Sequence, residues 1–177
     1  MDYLIINKDL SFEERLNTIH YISEIRATYI EYFARCNIKE FDENILLPSN
    51  TTIFSSIKFK PISLDDEVIC YQDELAKYIQ KPTIRNAKDC SDMLVKFSYY
   101  MGFVLFIQKH TQIQIDSSNI IQLLSDRFGE SIKLFFNLKD IIPLNFVPID
   151  IKILHLAKDI KKSLINNYID KFIKPHR

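Results

Sequence analysis

An all-α bundle of six to eight helices, wrapped around a central apolar helix, is the fold this chain predicts. Residues 92–110, DMLVKFSYYMGFVLFIQKH, are its most apolar stretch, and amphipathic segments of helical spacing lie on both sides of it. Only two glycines, Gly102 and Gly129, occur in 177 residues. Hairpin-rich β folds need positive φ at many turns, so that scarcity argues against them. At 47% hydrophobic and 26% charged, the chain can bury a real core in a single domain over 1–177, or at most in two helical lobes.

The first helix begins at Ser11, where Glu14 three residues on completes a capping-box pattern. Phe12, Leu16, Ile19, Ile22, Tyr29, Ile30 and Phe33 then mark one apolar face to about residue 36. Residues 37–62 are irregular, and alternation through Ile57, Lys58, Phe59 and Lys60 predicts a short strand or extended arm there. Ser63, followed by Asp66 and Glu67, starts a helix carrying Leu64, Val68, Leu75 and Ile79, which stops near Pro82.

The central helix spans about 91–110. Its densest run, Met93 to Ile107, would be roughly 22 Å long, short of a bilayer core of about 30 Å. The run also holds Lys96, which opposes insertion. Apolar residues surround this helix on nearly all sides, the pattern of a helix buried in protein, and Gly102 marks a place where a neighbour approaches closely. Asp116 or Ser117 caps the next helix, with Ile120, Leu123, Leu124 and Phe128 ahead of a stop at Gly129. A short helix in ESIKLFFNLKDII ends at Pro143. The last helix, about 149–173, buries Leu154, Ala157, Ile160, Leu164, Tyr168 and Phe172 along one side.

Several chemistries are disfavoured. The glycines leave no G-x-G-x-x-G and no P-loop. Cys36, Cys70 and Cys90 are odd in number and far apart, and His20, His110, His155 and His176 are equally scattered. No metal site, cofactor or disulfide framework is expected, and a reducing compartment suits the thiols. Aromatic and basic residues do not interleave in a nucleic-acid-binding pattern. Arg15 and His20 share the R-x4-H spacing of some helical ribonucleases, but Leu16 beside Arg15 is apolar where those enzymes place a polar residue. The carboxylates of LDDEV (64–68) and YQDEL (71–75) suit a hard cation or an acid–base pair; more commonly such acids lie on a solvated face, favoured by the helix dipole.

Residues 128–160, FGESIKLFFNLKDIIPLNFVPIDIKILHLAKDI, resemble the TssL/DotU family of type VI and type IVb secretion inner-membrane proteins. Gly129 and Glu130 match its G-E, Phe135 and Phe136 supply its aromatics, Pro143 falls at the family's distance, and Asp150 begins an apolar helix. The chain departs from the pattern in having one glycine there and no Gly-Phe-x-Gly. The resemblance implies a non-enzymatic scaffold at the cytoplasmic face of the bacterial inner membrane, docking membrane-complex and baseplate proteins. It leaves room for a weak homodimer and sets a membrane anchor after residue 177. From Lys158 onward six basic residues face two acidic ones, net +4, against −4 for the rest. Lys161, Lys162, Lys171, Lys174 and Arg177 form a membrane-proximal basic cluster on that reading, suited to an anionic surface. An apolar helix wrapped by amphipathic ones also resembles the virus-encoded Bcl-2-like proteins, with YYMGF in place of their signature, which would imply a groove for a partner helix.

Overall fold

The computed structural model describes residues 12–38, 42–48, 50–81, 87–144 and 149–173, with side chains from Thr18 onward in the first stretch and not at 87, 172 or 173. Among them six α-helices carry the fold, in agreement with the all-α expectation: α1 Phe12–Arg35, α2 Leu64–Gln80, α3 Ala87–His110, α4 Ser118–Phe128, α5 Ser131–Asn137 and α6 Ile151–Tyr168. A 3₁₀ turn, Leu138–Asp140, extends α5, and a π turn, Ile169–Ile173, extends α6. The Ser11–Glu14 capping box lies outside the described side chains.

Local chemistry sets most helix ends. The Ser63 hydroxyl accepts from the Asp66 amide at 3.1 Å, and Asp65, Asp66 and Glu67 occupy the first turn of α2. At the start of α4 the capping acceptor is the Asp116 carboxylate, 2.9 Å from the Ser118 amide, because Ser117 is drawn 2.8 Å from the buried Tyr100 hydroxyl. Gly129 closes α4 at φ 75°, a left-handed conformation that glycine adopts without strain, and its amide donates to the Ser125 carbonyl at 2.8 Å. Asp150 caps α6 by accepting from Lys152 at 2.8 Å.

Helix α3 is the core. From Tyr100 to Ile107 every residue is buried, and α1, α2 and α6 all pack against it. At 24 residues the helix is longer than its apolar run, so length and composition alone would let it span a bilayer. Its apolar side chains instead meet those of α1, where Tyr32 lies 4.6 Å from Phe103 and Phe33 lies 5.3 Å from Phe106, ring centre to ring centre. Gly102 sits at the α1–α3 crossing, against the Ile25 carbonyl and the Thr28 side chain.

The strand expected near 57–60 is displaced. Strands β1 Thr52–Phe54 and β2 Pro61–Ser63 pair antiparallel, with Ile53 opposite Ile62, and residues 55–60 form the connecting loop. The reason is Ser55, whose buried hydroxyl accepts from the Ile57 and Lys58 amides at 3.2 and 3.0 Å and bends the chain where alternation suggested extension.

Candidate functional site

The β1–β2 hairpin and helices α1, α2 and α3 enclose a cleft. It consists of two adjoining hollows of about 490 and 340 Å³ that share Ser56, Tyr71 and Tyr99. Helical spacing brings the lining together: Glu24, Thr28, Glu31 and Arg35 form one stripe of α1, and Glu74, Lys77, Tyr78 and Lys81 follow the same spacing at α2 and its end. Tyr71 forms part of the wall and stacks on Phe103 at 5.0 Å, 12° from parallel. The α1 end is acidic, through Glu24 and Glu31. The opposite end is basic, with the Lys96 and Lys81 ammoniums 4.7 and 5.7 Å from the Tyr78 ring centre.

Arg35 joins the walls. Its guanidinium meets Glu31 at 2.6 Å, donates to the Ser56 hydroxyl at 3.1 Å, and lies 3.6 Å from Glu67 on α2. Glu67 is fully buried, and the Tyr32 hydroxyl donates to its Oε1 at 3.3 Å. Oε2 has no protein partner. A buried carboxylate is costly without a counter-charge, so Arg35 and Tyr32 are what hold it there. Burial, then the Glu67 charge, push the Tyr32 phenol well above its ordinary range, so it remains a neutral donor.

At the rim stands the hairpin loop. Phe54 and Phe59 are 58% and 78% exposed, and Phe59 has φ 53°. An aromatic residue in the left-handed region is strained, and here no burial of its ring offsets the cost. The loop is nonetheless fixed, by the two bonds to the Ser55 hydroxyl and by the Ser55 amide donating to the Lys60 carbonyl at 3.0 Å.

Other residues singled out in the sequence are placed differently. His20 is exposed and lies 3.3 Å from Glu24, while the Arg15 side chain falls outside the described residues. In the LDDEV cluster Asp65 and Asp66 are solvated, whereas Glu67 turns inward. Burial pushes the Cys36 and Cys90 thiols up to about 11 and 12, which disfavours the nucleophilic thiolate. No group of three His, Cys, Asp or Glu side chains among the described residues is placed to hold a metal. Of the basic cluster, Lys174 and Arg177 lie outside the described residues, and Lys171 donates to the Asp126 carbonyl on α4. Lys162 is exposed, and Lys161 leans over the Tyr21 ring at 5.5 Å.

His110, one of the scattered histidines, is buried at the end of α3. Its Nδ1 lies 2.9 Å from the Ile45 carbonyl, so Nδ1 carries the proton, and Nε2 accepts from the Tyr29 hydroxyl at 2.6 Å. Burial lowers its pKa below the ordinary value. The sign follows: above about pH 6.5 both folded and unfolded chains hold it neutral, and as pH falls through that value the unfolded chain protonates first. Stability is therefore expected to fall between pH 7.5 and 5, more steeply in the wild type than in His110→Gln. Equal slopes in urea unfolding of the two would contradict this.

Neither a protein-family model, nor a curated protein, nor a solved structure matches the chain significantly.

Proposed function

We propose that this chain is a non-enzymatic helical adaptor, which docks a partner protein on the β1–β2 hairpin and the adjoining cleft. The observation that carries the reading is Phe59: a large aromatic side chain, 78% exposed, on a fixed loop at φ 53°. The left-handed turn at Phe59 closes the hairpin, its amide donating to the Ser55 carbonyl at 2.9 Å, and leaves the ring outside the fold and held in place. A rigid aromatic loses little entropy on binding and makes a good interface anchor, here beside a cleft whose two ends carry opposite charge.

A finer form of the proposal is a scaffold in a secretion-system membrane complex at the cytoplasmic face of the inner membrane. Its support is the resemblance over 128–160, together with the order of elements there: α4 ending at Gly129, the short α5, Pro143, and α6 capped by Asp150. A second reading, a Bcl-2-like protein receiving a partner helix, is favoured by the wrapped α3 and by the tyrosines that line the cleft.

Photo-crosslinking in the native host separates them. A crosslinking residue at position 59 is expected to trap one predominant protein, and Phe54→Ser should abolish that adduct with the thermal midpoint nearly unchanged. Under the Bcl-2-like reading the adduct forms from position 99 and not from 59. No adduct from position 59 above that from exposed Asn119 would sink the adaptor proposal.

A further inference from the structure

The β1–β2 hairpin has an unpaired edge. Its ladder runs through the pair Ile53 and Ile62, flanked by the Leu64 amide on the Thr51 carbonyl at 3.1 Å and the Ser55 amide on the Lys60 carbonyl at 3.0 Å. Bonding alternates along an antiparallel pair, so Thr52 and Phe54 turn their amides and carbonyls away from β2. Among the described residues nothing bonds those outward groups, and both residues are exposed. The other edge is different. On β2 the outward residue Pro61 has no N–H, and the strand lies against α2. Strand β1, Thr-Ile-Phe, has neither the proline nor the charge that commonly blunts an edge.

We infer that β1 pairs with β1 of a second copy of this chain, antiparallel about a two-fold axis at Ile53, joining two two-stranded sheets into one of four strands. Backbone and charge both select a second copy. The outward residues lie one on each side of Ile53. A two-fold axis there sets Thr52 opposite Phe54 of the other copy and Phe54 opposite its Thr52, each pair exchanging both bonds. The charges are self-complementary as well. The loop end of the hairpin carries Lys58 and Lys60, and the opposite end leads into Asp65 and Asp66, all four exposed. Antiparallel pairing turns each basic end toward the acidic end of the other copy, whereas parallel pairing would set like ends together. Phe54, 58% exposed, then gains Thr52 of the other copy as a neighbour on one side, with Pro61 of its own hairpin on the other. The contact is small, so the dimer is weak and reversible. Such a dimer uses the edge of β1 and is separate from the adaptor reading, which rests on Phe59 in the loop beyond.

Sedimentation velocity on the full chain, from micromolar to millimolar concentration, is expected to show a reversible monomer–dimer equilibrium. Hydrogen exchange at the Thr52 and Phe54 amides, followed by NMR, should slow as concentration rises. Thr52→Pro removes an outward N–H from both copies and leaves the Ile53–Ile62 bonds in place. It should weaken dimerisation by at least about tenfold, while Thr52→Val dimerises as the wild type does. A charge swap gives a second test that leaves the backbone alone. Lys58 already feels Glu74 of its own chain, so the swap uses Lys60. Lys60→Glu and Asp65→Lys should each weaken the dimer, and the double variant should recover it. A monomer at every concentration, unchanged exchange at Thr52 and Phe54, or a dimer that Thr52→Pro and Lys60→Glu both leave intact would overturn the pairing. The measurement needs only the purified chain, so the dimer can fail while crosslinking at position 59 succeeds, and the reverse.

Discussion

Gly102→Ala is expected to destabilise the protein by about 3 kcal/mol or more, read as a lowered urea midpoint. The substitution has a favourable side, since alanine in a helix interior is better than glycine by about 1 kcal/mol. The clash outweighs it. A Cβ at this position would fall on the Ile25 carbonyl oxygen, inside any allowed contact, and 2.9 Å from the Thr28 Cβ. The first of these is backbone in the middle of α1, so relief requires moving one whole helix from the other. A midpoint at or above the wild-type value would mean that α1 and α3 do not approach this closely.

Phe106→Ala is expected to cost about 3–5 kcal/mol. Its ring is fully buried, with centres 6.2 Å from Tyr29, 5.5 Å from Tyr32, 5.3 Å from Phe33 and 5.2 Å from His110. Those four rings come from two helices and pack edge-on or tilted around it. The hole left by truncation therefore has stiff walls and refills poorly. A loss below about 1 kcal/mol in urea unfolding would show that the cluster can collapse, contrary to this geometry.

The helical frame was legible because its signals are local. Apolar residues around the whole circumference of 93–107 announced the buried α3, Ser63 and Gly129 announced a start and a stop, and Gly102 announced the close crossing. What was not legible depends on distant partners. Glu67 reads as one more acid in the first turn of α2, and only Arg35 and Tyr32, on a helix that ends before the hairpin, turn it into a buried ion pair. His110 has the same history, because Tyr29 and Ile45 decide its environment. The short strand or extended arm expected around 57–60 gives way to a loop between two strands, because a serine hydroxyl outcompetes side-chain alternation. The C-terminal lysines were read as one cluster since charge is visible in sequence, whereas the direction in which each side chain leaves α6 is not.

The pairing of α1 with α3 also bears on how the chain is made. Tyr29 and His110 are separated by 81 positions, and Tyr21 bonds Ser91 across 70. At a synthesis rate of about 5–20 residues per second, Tyr29 is added to the chain roughly 4–16 s before its partner. For that interval the face of α1 that carries Ile22, Ile25, Tyr29 and Phe33 has no α3 to cover it. Helices form in about a microsecond, so α1 waits with its apolar face open, as a natural client for a ribosome-associated chaperone.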